Sequence, residues 1–243
     1  MSQQLAGWTV VVTRPADQAD AFVSALVAVG AEPLVVPTLA IGAPEDGGAA
    51  LRSALLGSPF DWVVVTSANG ARRLRSALDE TGAASPRVAA VGPRTAGVLL
   101  ELGLAVQLVP ERFVAEGLVD AFPTGPSSVL VVRPEEARDV VADGLRAKGH
   151  AVTEVVAYRT VAAPVSGEQA AVARSADVVT FASPLSYRAY VDAIGLPTDQ
   201  IVVSIGPVTS AAITDSGIEE VLEADPHTTD AMVEVLCRHR DGS

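Results

Sequence analysis

The chain has 243 residues, 49% hydrophobic and 19% charged, a composition that supports one large or two small folded cores and excludes a disordered chain. Its formal net charge of −12 speaks against nucleic acid or an anionic membrane as partner, because either needs a basic face. The single Cys237 excludes an internal disulfide, and His150, His227 and His239 show no metal-ligand spacing, so no metal is expected.

The residues before Thr9 carry neither the basic nor the apolar region of a signal peptide, and no run approaches the roughly 18 to 20 apolar residues that span a bilayer; a cytoplasmic protein is the expectation. Thr9 to Val12 is the first short β-branched run, followed by Thr13-Arg14-Pro15 and a helix ending at Gly30. Glu32 to Val36 leads into an extended stretch, Pro37 to Ile41, and a loop, Gly42 to Gly48. Trp62 to Thr66 leads to Ser67, Val88 to Val91 to Gly92-Pro93-Arg94-Thr95, and Val106 to Val109 stands next. Val129 to Val132 precedes Arg133-Pro134 and a helix ending at Gly149. Val152 to Val156 runs into a second extended stretch, Ala157 to Val161, and a second loop, Ala162 to Gly167. Val178 to Phe181 leads to Ser183, Ile201 to Ile205 to Gly206-Pro207, and Glu219 to Leu222 is the last run. Continuous apolar strands between amphipathic helices predict an α/β fold with parallel sheets covered on both faces.

The elements occur twice. Arg14 returns as Arg133 and Gly30 as Gly149, both 119 residues later; Asp61 returns as Asp177 after 116 residues and Gly92 as Gly206 after 114. Four segments follow, residues 7–41, 61–122, 127–161 and 176–236, in which the first resembles the third and the second the fourth. Two related lobes with a site between them are the expectation. Periodicity allows tandem pairing of the segments or crossed pairing around an inserted lobe. The two extended stretches, at equivalent places, favour the crossed form with a two-stranded hinge.

In a doubly wound sheet of order 2-1-3-4-5, ligands bind at the carboxyl ends of the first and third strands. In the crossed form these ends hold Thr13, Arg14 and Pro15 with Ala182, Ser183 and Pro184 in one lobe, and Arg133 and Pro134 with Thr66 to Asn69 in the other. Ser67, Ser183 and Thr228 each stand where a helix begins, and N-capping worth roughly 1 kcal/mol accounts for them without any ligand. Helix N-termini also bind carboxylates and phosphates, so these three, with the Gly-Pro helix starts that carry Thr95 and Thr209, form a candidate anion cradle. It is no nucleotide motif: G-x-G-x-x-G is absent after the first strand, and Gly92 to Gly97 lacks the Lys and Ser/Thr of a P-loop. No Ser/His/acid triad is legible. Tyr158, one of three tyrosines, lies in the second extended stretch; a phenol there is protonated at neutral pH and can donate a proton, or is a half-buried strand tyrosine and no more.

Taken in order, Val12-Thr13-Arg14-Pro15, Thr66-Ser67-Ala68-Asn69-Gly70, Val91-Gly92-Pro93-Arg94-Thr95-Ala96, Tyr158-Arg159-Thr160, Phe181-Ala182-Ser183-Pro184, Ile205-Gly206-Pro207-Val208-Thr209 and Pro226-His227-Thr228-Thr229-Asp230 resemble uroporphyrinogen-III synthases, from about Trp8 to Leu236. The resemblance implies two similar, flavodoxin-like parallel-sheet domains joined by a two-stranded β connector: residues 1–36 with 164–243, an inserted domain at 42–156, and connectors at 37–41 and 157–163. It implies a cytosolic monomer that cyclises hydroxymethylbilane, a linear tetrapyrrole with eight carboxylates, to uroporphyrinogen III with inversion of ring D, loss of water and no cofactor. By the same resemblance Tyr158 is the proton donor to the leaving hydroxyl, and Thr95, Thr209, Ser67 and Ser183 contact substrate. Arg14 pairs with a carboxylate, with Arg138 and Arg94 as further basic candidates. A non-catalytic bilobal protein that closes on an anionic small molecule is the alternative reading. The net charge of −12 opposes an octa-anionic substrate only at long range, since screening confines exposed charge to about 8 to 10 Å.

Overall fold

The structure, a computed structural model, describes residues 3–15, 18–137 and 139–242. β1 (Thr9–Val12) is followed by α1 (Asp20–Ala28), which turns Phe22 and Leu26 inward, and β2 (Glu32–Val35). Next come β3 (Leu39–Gly42), α2 (Ala49–Leu56), β4 (Trp62–Val65), α3 (Ala68–Thr81), β5 (Arg87–Ala90), α4 (Pro93–Glu101), β6 (Val106–Leu108) and α5 (Ala115–Ala121). β7 (Ser128–Pro134), α6 (Val140–Ala147) and β8 (Ala151–Ala162) precede α7 (Gly167–Arg174) and β9 (Val178–Phe181). The chain then forms α8 (Pro184–Ala193), β10 (Ile201–Ser204), α9 (Pro207–Thr214), β11 (Leu222–Glu223) and α10 (Thr229–Asp241). None of these helices is long and apolar enough to cross a membrane.

Five strands join in the order β11-β10-β9-β1-β2 and six in the order β3-β8-β7-β4-β5-β6. The pairs β1/β2, β1/β9, β9/β10 and β10/β11 are parallel, as are β4/β5, β4/β7, β5/β6 and β7/β8. The crossed pairing is the observed one: β1 and β2 share a sheet with strands more than 130 residues further on. Counted within the repeat, both sheets run 2-1-3-4-5, with β3 added at one edge of the second. The chain divides into two compact units, unit 1 up to Ala40 and from Val161 onward, unit 2 from Ile41 to Thr160.

Alternation along the strands builds two cores in each unit. Val10 and Val12 pack with Phe22, Leu26, Met232 and Leu236 on one face of the first sheet, while Val11 turns to Phe181, Tyr190 and Ile213 on the other. Val63 and Val65 meet Leu74, Leu78 and Leu99, whereas Val64 meets Leu118, Phe122 and Leu145. Every residue of β4 and β9 is buried, as central strands covered on both faces require. Two runs depart from expectation. The last strand is Leu222–Glu223 rather than Glu219 to Leu222, because the edge chain comes alongside β10 only at Leu222, opposite Val203. β8 does not stop at Val156 but continues to Ala162 beside β3, so the expected strand and the extended stretch after it are one element.

One electrostatic tie is repeated in both units. The Asp61 carboxylate accepts the Ser128 N–H at 2.8 Å and its hydroxyl at 2.9 Å, and the Asp177 carboxylate accepts the Thr9 N–H at 2.7 Å and its hydroxyl at 2.8 Å. Each aspartate thereby fastens the start of a central strand to its neighbour. Hydrogen bonds from the Ser128 backbone and side chain hold the Asp61 carboxyl below its ordinary value of 3.8. A depressed carboxyl stabilises the fold above its unfolded value, and that contribution vanishes as pH falls through the folded one. Asp61→Ala therefore melts below the parent at neutral pH, and the gap in Tm narrows as the pH is taken below about 3.8. A gap that widens in acid contradicts the assignment.

Candidate functional site

Each strand of a parallel sheet delivers the residues that follow it to the same carboxyl edge, where the next helix begins. In unit 2 that edge gathers Ser67 after β4, Gly92 after β5, and Arg133 and Pro134 at the end of β7. Ser67 caps α3 from an extended backbone, its Oγ accepting the Gly70 N–H at 3.0 Å. The Tyr158 hydroxyl lies 2.8 Å from the same Oγ. A register shift in the β7/β8 ladder accounts for its position: Arg133 faces Val156, but Pro134 faces Tyr158 rather than Ala157. Ala157 and Tyr158, although consecutive, both pack into the core that holds Val63 and Val65, which an unbroken pleat does not allow.

Tyr158 is 7% exposed. Burial pushes its pKa above 10, the Ser67 hydrogen bond pulls it down, and the Glu136 carboxylate pushes it up, so the phenol carries its proton at neutral pH. Arg133, by contrast, is already taken: it pairs with Asp139 and lies 3.3 Å from Glu154. α4 begins at Gly92 with Pro93 in its first turn and no side-chain cap, and Thr95 is buried in that turn while Arg94 is exposed.

Unit 1 presents the corresponding edge. Ser183 caps α8, its Oγ accepting the Ser186 N–H at 3.1 Å, and Thr228 caps α10, accepting the Ala231 N–H at 3.2 Å. α9 starts at Gly206 with no side-chain cap, and Thr209 is buried in its first turn. The central strands β1 and β9 are locked by two buried bonds, Thr13 Oγ1 to the Thr180 carbonyl and Thr180 Oγ1 to the Val11 carbonyl, each 2.8 Å. Arg14 follows, half-buried, and among the described residues no carboxylate lies within ion-pair distance of it. The two arginines of the repeat thus differ among the described residues: Arg133 braces its own unit, and Arg14 has no such carboxylate partner.

Of the expected residues, Ser67 and Tyr158 are in contact, and Thr95 stands at the same edge of unit 2. Arg14, Ser183, Thr209 and Thr228 stand at the carboxyl edge of unit 1. Arg138 lies outside the described residues. Sequence reading passed over Phe113, and it quoted His227 only as a rejected metal ligand and within the Pro226 to Asp230 motif. A Cβ built on Gly92 comes within 3.3 Å of the Phe113 side chain, and one on Gly206 within 2.9 Å of His227 Nδ1, so each ring lies against an uncapped helix start. Phe113 and His227 are 114 residues apart, the spacing of Gly92 and Gly206, and extending that offset along the chain would have found them. Phe113 is 59% exposed in a chain that is only 4% aromatic. A cavity of about 470 Å³ in unit 1 lies at the other edge of the sheet, lined by Trp8, Asp177, Gln200 and Glu220 at or near the amino ends of strands. It holds none of the donors just described. Among the described residues no group of three His, Cys, Asp or Glu side chains is placed to hold a metal.

Solved structures share this architecture. Uroporphyrinogen-III synthetase of Helicobacter pylori 26695 matches 96% of this chain and 99% of its own, at 17% identity and a TM-score of 0.58. A mutant of the synthase from the extremely thermophilic bacterium Thermus thermophilus matches 98% of this chain and 100% of its own, at 18% identity and a TM-score of 0.55. At the level of sequence, the uroporphyrinogen-III synthase of Synechococcus elongatus is 28% identical over 250 residues, covering 95% of each chain. The chloroplastic uroporphyrinogen-III synthase of Oryza sativa subsp. japonica is 26% identical over 240 residues, 93% of this chain and 79% of that protein. Residues 20–234 match the family described as uroporphyrinogen-III synthase HemD, and with that span covered this chain belongs to the uroporphyrinogen-III synthase family, enzymes of tetrapyrrole biosynthesis.

Proposed function

We propose that the chain cyclises hydroxymethylbilane to uroporphyrinogen III, inverting ring D and releasing water, as a cytoplasmic monomer that needs neither metal nor cofactor. The observation that carries the reading is the Tyr158 phenol, buried, protonated at neutral pH and held 2.8 Å from the serine that starts α3. In the first step Tyr158 gives its proton to the terminal hydroxyl of the substrate. The carbon–oxygen bond breaks with its electron pair going to oxygen, water leaves, and the positive charge spreads over the terminal pyrrole. The substituted α-carbon of ring D attacks that cation to give a spiro intermediate, the older bond from this carbon to the methylene of ring C breaks, and the methylene cation recloses on the free α-carbon of ring D, which loses its proton to the phenolate, so the enzyme ends as it began.

Binding falls to backbone and to Arg14. The uncapped starts of α4 and α9 each present first-turn N–H groups to which no side chain is bonded, and each suits a carboxylate. Arg14, without a carboxylate partner among the described residues, suits another. Phe113 offers an apolar face to a pyrrole beside the start of α4. Ser183, Thr209 and Thr228 stand at the same carboxyl edge of unit 1 and suit a propionate or acetate arm, as Thr95 does in the first turn of α4.

The test is a coupled assay in which hydroxymethylbilane is generated in situ and the type III product is separated from the type I isomer that forms spontaneously. The protein is first dialysed exhaustively against a chelator. Type III product at the undialysed rate is expected. Type I product alone overturns the proposal and leaves a protein that binds anions without turnover; activity lost on dialysis and restored by one metal overturns its metal independence.

A further inference from the structure

Resting on the reading of Tyr158 as proton donor, we propose that Ser67 is the positioning residue for that phenol: its hydroxyl donates to the Tyr158 oxygen, aims the phenolic proton away from the protein and stabilises the phenolate left after transfer. Both atoms are capable of donating across the 2.8 Å contact, and the surroundings favour serine. A serine hydroxyl has one proton and two lone pairs. Ser67 Oγ already accepts the Gly70 N–H at 3.0 Å, and the Tyr158 oxygen is the acceptor within reach of its own proton. With Ser67 donating, the phenol hydrogen is free for substrate. The serine also joins the phenolate oxygen to the first turn of α3, whose N–H groups favour negative charge.

The repeat supplies an internal control. In unit 1 the serine at the equivalent helix start, Ser183, completes a capping box with Ser186 and has no tyrosine partner. The first extended stretch, Pro37 to Ile41, carries no tyrosine at all. One copy thus starts its helix on a serine without any phenol, so capping does not require the serine–tyrosine pair. The pair is an addition confined to unit 2, where the reacting group lies.

Other charges near the phenol leave Ser67 as the group that lowers its pKa. Burial and Glu136 both raise it, while Arg133 is spent on Asp139 and Glu154, and Arg159 lies 3.3 Å from Glu45. Removing the Ser67 hydroxyl should therefore raise the phenol pKa and weaken the acid.

The chain has three tyrosines, Tyr158, Tyr187 and Tyr190, so protein labelled with 3-fluorotyrosine gives three fluorine resonances, and the one missing in Tyr158→Phe belongs to Tyr158. Ser67→Gly removes the hydroxyl and costs the helix start little, whereas Ser67→Thr keeps both. In Ser67→Gly the titration of the Tyr158 resonance should rise by about one pH unit, the scale of a hydrogen bond to a charged group. kcat should fall about tenfold with KM unchanged, and the basic limb of the pH profile should move up; Ser67→Thr should restore all three. A Tyr158 titration that does not move overturns the proposal. So does an unchanged kcat in Ser67→Gly when Tyr158→Phe is slow. Full activity in Tyr158→Phe removes Tyr158 as acid instead, and the fluorine titration then still decides whether Ser67 governs the phenol.

Discussion

Tyr158→Phe should slow formation of uroporphyrinogen III by about 100-fold or more, the usual worth of a positioned general acid, with KM and the melting temperature close to those of the parent. The ring remains in the core with Val63, Val65 and Leu74, so the packing that holds β8 is kept and only the hydroxyl is lost. No other side chain described at the carboxyl edge of unit 2 offers a comparable proton. Ser67 and Thr95 carry hydroxyls too weakly acidic to donate, and Arg133 is held by Asp139 and Glu154. Without the enzyme's acid the substrate still loses water slowly in solution, and that route ends in the type I isomer. The variant should therefore show a falling ratio of type III to type I product as well as a lower rate. A type III rate within a factor of two of the parent removes Tyr158 from the mechanism.

Phe181→Ala should cost about 3 to 5 kcal/mol of stability, the loss expected for a fully buried aromatic ring. Phe181 is fully buried at the end of β9, with Tyr187 edge-on at 5.1 Å and Tyr190 edge-on at 5.3 Å. Such contacts add to the transfer energy of the ring, and the cavity left by alanine adds a further penalty. The damage spreads through a polar chain. The Tyr190 hydroxyl donates to Gln200 at 3.0 Å, and the Gln200 amide donates to the carbonyls of Ala173 in α7 and of Ala176 just beyond it. Burial pushes the Tyr190 pKa up to about 12, so this phenol stays neutral and keeps its bond across the range in which the enzyme would be assayed. Natural domains are stable by only about 5 to 15 kcal/mol, so much of the reserve of unit 1 is at stake. Urea unfolding should show a lower midpoint, with Phe181→Leu between the variant and the parent. A loss under about 1 kcal/mol would mean that β9 is not the centre of this core.

Local patterns carried a large share of this protein. The α/β class, the strand runs and the helix starts depend on contacts within a few residues: three consecutive buried valines in β1 and in β4, a serine oxygen reaching the N–H three positions on, a proline in a first turn. Ser67, Ser183 and Thr228 do cap helices, as their places before helical segments suggested, because a cap needs nothing beyond its own helix. The duplication was also open to view, since it is a comparison of the chain with itself.

What resisted the sequence involves partners far apart along the chain. Tandem and crossed pairing bury the same strands equally well in the pattern of residues; the two extended stretches favoured the crossed form, and the ladders that join β1 to β9 and β4 to β7 show it. A strand of fixed period places Ala157 and Tyr158 on opposite faces. The slip against β7 brings both to one face, and without it the phenol would not meet Ser67. Arg14 and Arg133 read alike in Thr-Arg-Pro and Val-Arg-Pro, yet one is bound by Asp139 and Glu154 and the other is not, because Glu154 reaches its arginine across two paired strands. Phe113 and His227 lie in loops, where no periodicity marks a residue, and their place over a glycine depends on how the loop after the fifth strand of each repeat returns to the sheet. Short-range rules thus accounted for the pieces, while long-range pairing selected which pieces face the chemistry.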